Sequence, residues 1–356
     1  AVRFGSGMRP FPRGRGSPDA DAAPAGSTVE SQEVREQVHA VLAKMQPNYR
    51  TVLVLRDLQG MTCEEIAEIV GAKSGGKIKV NLFYNGTLGS DQANVSALQG
   101  GTLEMASMNS GIFANQVKEF AIFDFPFMFP NEAVADAVVD GAFGHKMHAK
   151  LQDKGLVGLG YYELGFRQIT NSKRPITKVE DLEGLKLRVI PNPINVDWVK
   201  ALGANPTPLP FPEVYSALEQ KAIDGQENPI TVINANKFYE VQKHVVISNH
   251  QYNPQSVLIS KKFWDGLNAD QKKIVADAVT ASAKYQREQA RGQVASALDN
   301  MKKNGMQVTQ FSDAELAKLR DKLRSVTAKY GVTVGQDLVQ ELQAEIIKAS
   351  SKKAGK

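Results

Sequence analysis

GLKLRVIPNPINVDWVKALG, residues 184–203, reads as one β-strand feeding one α-helix. Leu185, Leu187 and Val189 alternate with Lys186, Arg188 and Ile190, the period of two that sends successive side chains to opposite faces of a strand. Pro191 breaks the strand, Pro193 suits the first turn of a helix, where a missing N–H costs nothing, and Gly203 suits the position after its last turn. Arg188 then lies near the C-terminal end of a strand, where open α/β sheets place their ligands. A guanidinium there can hold a carboxylate through two parallel charge-assisted hydrogen bonds, a geometry that Lys does not offer. The same placement suits a structural ion pair with an Asp or Glu, and spacing alone leaves both readings open.

Strands and helices alternate on either side of this unit, the pattern of α/β lobes. On its N-terminal side, Lys77 to Phe83 and Thr102 to Met108 read as strands around a short helix, Asp91 to Gln99, entered at Ser90. Asn131 caps a helix that Gly141 ends, and Leu156 to Tyr162 is another strand. On its C-terminal side Pro212 opens a helix, and Val245 to Ser248 and Ser256 to Ser260 are strands. Asn268 to Asn304 then runs without Pro and with Gly292 as its only internal Gly; at 1.5 Å per residue, about 37 residues would make a helix of roughly 55 Å. That is longer than one lobe needs, so it reads as a brace across two. Ala314 to Tyr330 and Val339 to Ala349 supply two more helices.

The chain's 356 residues, 42% of them hydrophobic, exceed what one core usually serves, which also favours two lobes with a cleft between them. The net charge of +5 comes from 43 Lys and Arg dispersed among 38 Asp and Glu, which argues against a nucleic-acid partner. The single cysteine, Cys63, excludes an internal disulfide, a zinc knuckle and a CxxC redox pair. Apolar runs such as Phe120 to Phe129 are far shorter than the roughly 20 residues that span a bilayer, and Asp124 and Pro126 interrupt this one. The sequence has no GxSxG elbow, P-loop or GxGxxG after a strand. Of the five histidines, His145 and His148 form an HxxH pair lacking the acid of a metalloprotease helix, which leaves them surface or packing roles. No enzyme, cofactor or metal site is expected.

Residues 1–30 are rich in Gly, Pro, Arg and Asp, read as a disordered tail, and show no apolar segment of secretory type. From Ser31, Val34, Val38, Val41, Leu42 and Met45 recur at helical spacing, and Thr62 with Glu65 forms a capping box before Ile66, Ile69 and Val70. The stretch Val34 to Gly71 resembles region 4 of extracytoplasmic-function sigma factors. That resemblance implies a DNA-recognition helix next, yet the chain continues AKSGGKIKVNLF, an alternating strand after Gly75 and Gly76. The element that would enter the major groove is missing.

Residues 73 to about 349 resemble the solute-binding subunits of TRAP (tripartite ATP-independent periplasmic) transporters, of the dicarboxylate-binding DctP type. SGGKIKVNLFYNGTLGSDQ, FDFPFMF, GFRQITNSKRPI, DLEGLKLRV, LPFPEVYSALEQKAIDGQENP and KFYEVQKHV carry the likeness. It implies a two-lobed periplasmic-binding-protein-like α/β fold with a long bracing helix, here with a short helical N-terminal appendage. It also implies a periplasmic monomer, a small-molecule carboxylate as ligand and the TRAP membrane permease subunits as partners. Within it Arg188 matches the arginine that pairs with the substrate carboxylate, Asn228 an asparagine bonding the same group, and Arg167 a second cleft arginine. Phe211 matches an aromatic packed on the ligand, and Asn109 stands where members vary to choose substrates. Phe211 as core, Arg167 as an interlobe ion pair and Glu227 as a hinge residue or arginine partner remain open alternatives.

The expected organisation is a tail over residues 1–30, the sigma-like fragment over 31–71 in place of the usual first strand and helix, lobe one over 72–165, and lobe two over 166–255 with segments crossing back. The return strand, bracing helix and C-terminal helices fill 256–356. The expected function is capture of a small organic acid for secondary-transport uptake. The alternatives are a sigma-like transcription regulator fused to a sensing module, and a chimeric chain with a non-functional N-terminus.

Overall fold

A computed structural model describes residue 83 and residues 86–354. The tail, the sigma-like stretch and nearly all of the strand expected over Lys77 to Phe83 lie outside the described residues.

The described chain opens with α1 (Asp91–Gly100), capped by the Ser90 side chain on the Ala93 N–H. β1 (Met105–Asn109) follows, fully buried, then two 3-10 turns, α2 (Glu132–Val139) capped by Asn131, and α3 (Ala142–Ala149). β2 (Leu156–Asn171) is far longer than the Leu156 to Tyr162 expected, and it ties the molecule together. Its first part pairs antiparallel with β7 (Tyr252–Ser260), whose other edge carries β1. From Arg167 onward it pairs instead with β5 (Gly225–Pro229) and β6 (His244–Ile247). The strand turns between these two sets of partners beside Gly165, at φ +114°, a conformation that L side chains rarely adopt.

The second sheet region holds the unit that opened the sequence reading. β3 (Lys186–Val189) runs parallel between β4 (Asn205–Pro208) and β5, and α4 (Pro193–Ala201) follows it with Pro193 in the first turn. α5 (Val214–Glu219) precedes β5 and α6 (Ile230–Ala235) leaves it. β8 (Gln307–Gln310) closes the far edge, parallel to β6. The result is the two-lobed α/β architecture that the sequence pattern implies.

The brace differs from one long helix. After the short α7 (Lys261–Asp265), α8 (Ala269–Gly292) and α9 (Val294–Lys303) are separate helices meeting at Gln293, beside the glycine whose helix propensity is about 1 kcal/mol poorer than alanine's. The break lets each half serve a different lobe. Val275, Val279 and Ala283 of α8 pack with Met105, Tyr162, Val257 and Ile259, whereas Ala297 and Met301 of α9 join Val214, Ile230 and Ile233. Two arginines of α8 fasten it to lobe one: Arg287 grips Asp140 with both terminal nitrogens at 2.6 and 2.8 Å, and Arg291 reaches Asp136 at 2.8 Å. α10 (Asp313–Val334) and α11 (Gln336–Ala354) complete the fold against the large core around Phe120, Phe123, Trp198 and Leu319.

Of the HxxH pair, His145 is exposed and His148 is buried, its ring stacked on Tyr161 with centroids 3.9 Å apart. Burial holds its pKa down at about 3, so it packs as a neutral ring. Gly158 lies against it: a β-carbon there would sit 2.1 Å from His148 Cγ, and neither ring can retreat from the stack. Gly158→Ala is therefore expected to cost about 1–3 kcal/mol by overpacking. Chemical denaturation would read this directly, and an unchanged denaturation midpoint would refute the packing argument.

Candidate functional site

The C-terminal ends of β3 and β5, the end of β1 and the start of α1 converge on one cleft, beside the point where β2 changes partners. It encloses about 420 Å³ of empty space, part of it open to solvent. Arg188, Arg167, Asn228, Phe211 and Asn109, the five residues singled out from the sequence, all line it.

Arg188 is 2% exposed at the end of β3, with its Nε donating to the Leu209 carbonyl at 2.8 Å. That bond orients the guanidinium along the cleft wall. Arg167 is fully buried where β2 crosses between sheet regions, and its backbone N–H donates to the Gln251 carbonyl at 2.8 Å. Its Nε pairs with the Glu227 carboxylate, and Nη2 donates to Glu227 Oε1 at 2.9 Å and to the Glu227 carbonyl at 2.6 Å. Arg167 is thus ion-paired, but with Glu227 of the adjacent strand β5 rather than across the lobes, and Glu227 is an arginine partner. Nη1 of Arg167, by contrast, has no hydrogen-bond partner among the described residues.

Asn228 accepts from Arg167 Nη2 at 3.2 Å and donates to Gln226 Oε1 at 2.6 Å, so its amide is held in one orientation with a second Nδ2 hydrogen to offer. Phe211 is half-buried at the cleft wall with its ring 6.2 Å from that of Phe238, combining the packing and lining roles. Asn109 accepts from the Gly111 N–H at 2.7 Å, and its buried Nδ2 finds no partner among the described residues.

Behind the arginines lies a buried ionic layer that joins the lobes. Burial pushes the Glu227 carboxyl up, but the Arg167 charge and the His250 contact outweigh it and hold the pKa at about 2. Burial pushes Asp124 up to about 6 against the pull of Arg167 and Asn195. Asp124 receives Asn192 at 2.8 Å and Asn195 at 3.0 Å from the α4 side, and Asn253 at 2.8 Å from β7. One carboxylate thus ties two further segments, the start of α4 and β7, to its own. An acid inside a run as aromatic as Phe120 to Phe129 is a signal in the sequence for such a role, because a buried charge survives only when partnered. Two further polar lining residues, Asp91 and Gln255, were also missed.

A family model for bacterial extracellular solute-binding proteins, family 7 (DctP), matches residues 51–332. The chain belongs to this family. The 2,3-diketo-L-gulonate-binding periplasmic protein YiaO of Escherichia coli is 36% identical over 271 residues, 74% of this chain and 83% of that protein. A TRAP periplasmic solute-binding protein from Ochrobactrum anthropi, whose C-terminus occupies its ligand-binding pocket, is 45% identical with a TM-score of 0.73, covering 86% of this chain and 97% of that one. The sugar-acid-binding protein of Advenella mimigardefordensis in complex with galactonate is 38% identical with a TM-score of 0.81, covering 85% and 99%. This DctP-family chain is therefore a TRAP solute-binding protein and not an enzyme. The family match takes in residues 51–71, which overlap the stretch with the sigma-like resemblance. Among the described residues, no helix of this DctP-family protein is long and apolar enough to cross a membrane.

Proposed function

We propose that the protein holds the carboxylate of its ligand on Arg188 and the free Nη1 of Arg167, with Asn228 beside them and Phe211 against the ligand's carbon chain. The observation that carries this is the orphaned Nη1: a buried guanidinium nitrogen on a cleft wall is costly to leave unpaired and matches an oxyanion. Closing the lobes about the β2 crossing at Gly165 to Arg167 would exclude water and strengthen both charge contacts. The relatives that bind 2,3-diketo-L-gulonate and galactonate point to the same ligand chemistry. In this reading the chain works in the periplasm, as a monomer, and hands its ligand to TRAP membrane permease subunits. Residues 72–165 and 166–255 form the two lobes and 256–356 the return strand, brace and C-terminal helices. Residues 34–71 keep a sigma-region-4-like resemblance, and their part from residue 51 on, inside the family match, would stand in place of the first strand and helix of lobe one.

Thermal-shift screening over organic acids tests the assignment. A ligand specific to the native state stabilises by about 2.7 kcal/mol at a hundredfold excess over its dissociation constant. At least one carboxylate is expected to raise the melting temperature in a saturable way. A protein that melts cooperatively but responds to no acid in a broad panel would defeat the proposal.

A further inference from the structure

Two stretches of chain far apart in sequence touch at the edge of the cleft. One is the turn that begins at Gly86, closed by the Gly89 N–H donating to the Gly86 carbonyl at 2.8 Å and leading through Ser90 into α1, whose Asp91 lines the cleft. The other is Asn205 to Pro212, in which Pro206, Pro208, Pro210 and Pro212 stand at every second position. No carbon fits between them: a β-carbon on Gly86 would lie 2.6 Å from Cγ of the Pro212 ring, a separation that real β-carbons essentially never show. Thr87, Leu88 and Pro212 are exposed, so the contact lies at the mouth of the cleft rather than its floor.

The proline strip is stiff, because each proline fixes its own φ near −65°. Its first part is β4, laid against β3; the Leu209 N–H then donates to the Val189 carbonyl at 3.2 Å, and the Leu209 carbonyl accepts from Arg188 Nε at 2.8 Å. Phe211 lines the cleft and Pro212 meets Gly86. The anchor of Arg188, the aromatic wall and the mouth contact are thus carried by one rigid segment.

Resting on the capture reading above, we infer that Gly86 and Pro212 form the closing contact between the lobes, and that Gly86 is a positioning residue whose missing side chain lets them shut on the ligand. Gly86 belongs to the first lobe and Pro212 to the second. The pair acts through the balance of open and closed forms. Affinity falls by the factor by which the closed form is disfavoured, and because a captured ligand leaves when the lobes part, the loss appears in the dissociation rate. Gly86 has φ +72°, so a side chain there also strains the turn, but that strain is the same with the lobes open or shut and cancels from binding.

Titration calorimetry and stopped-flow mixing test this with D-galactonate, 2,3-diketo-L-gulonate, D-erythronate and succinate, taking forward the one that the wild type binds most tightly. Gly86→Ala is expected to weaken binding by about fivefold to a hundredfold, the scale of an overpacked contact, through faster dissociation at a nearly unchanged association rate. Pro212→Ala alone should quicken dissociation by about two- to fourfold, because ring carbons leave the contact. The double variant should dissociate close to the Pro212→Ala rate, since the new β-carbon has no ring to meet, while its ligand-free melting temperature stays below that of Pro212→Ala. Dissociation unmoved in Gly86→Ala, or in Pro212→Ala should the glycine variant not fold, overturns the closing contact and leaves carboxylate capture in place. A Gly86→Ala loss that the second change does not relieve also overturns it, by placing the effect in the turn. Failure of all four acids to bind the wild type overturns the capture reading, and this inference with it.

Discussion

Arg188→Ala is expected to weaken binding of the cognate acid by about thirtyfold to a few thousandfold, corresponding to the roughly 2–5 kcal/mol lost when one partner of a buried, hydrogen-bonded charge pair is truncated. The position explains the size of the effect. Arg188 is almost fully buried, so its contact with a carboxylate is made away from bulk water, and its Nε bond to the Leu209 carbonyl sets the guanidinium plane before any ligand arrives. Arg188→Lys keeps the charge but loses that anchored fork, and should fall between wild type and alanine. Titration calorimetry on the three proteins checks the order. An alanine variant within threefold of wild type would remove Arg188 from the site.

How far the site was legible in the sequence depends on where each signal lies. The β3–α4 unit was readable because its signals are local: strict alternation from Leu185 to Ile190, then Pro191 and Pro193. Arg188 could be placed at a strand end from that pattern alone. Arg167, Asn228, Phe211 and Asn109 came only through family likeness, since nothing in their spacing distinguishes them from core or surface residues.

β2 was cut short at Tyr162 because the polar residues after it break the apolar pattern of a buried strand. Those residues are strand nonetheless because their partners are distant in sequence. The Glu163 N–H donates to Gln286, the Glu163 carboxylate accepts from Arg291, and Arg167 pairs with Glu227. Asp124 went unread for the same reason, as its partners Asn192, Asn195 and Asn253 lie far along the chain. The brace was the reverse error. Helical periodicity continues across Gly292, while the need to pack α8 and α9 on different lobes is a tertiary fact with no local trace.

Glu227→Ala should be the most destabilising single change in the ionic layer. It would leave the fully buried Arg167 guanidinium without its carboxylate, at a cost of about 3–5 kcal/mol, the range for removing one partner from a buried ion pair. At about 2–4 °C per kcal/mol for a chain of this class, the melting temperature should fall by roughly 6–20 °C. Burial by itself would raise the Glu227 pKa above its ordinary 4.5, yet it lies at about 2, so the carboxylate is ionised across the working pH range and its removal strands a charge rather than a neutral acid. The sign follows: stability from this pairing is present above pH 4.5 and is lost as pH falls toward 2. The double variant Arg167→Met, Glu227→Leu removes both charges together and should recover much of the loss, since an apolar pair of similar volume is often no less stable than a buried ion pair. It should still bind the acid poorly, because Nη1 goes with the arginine. Recovery of stability without recovery of binding would separate the two roles of Arg167; a single Glu227→Ala variant as stable as wild type would show that the pair contributes nothing to the fold.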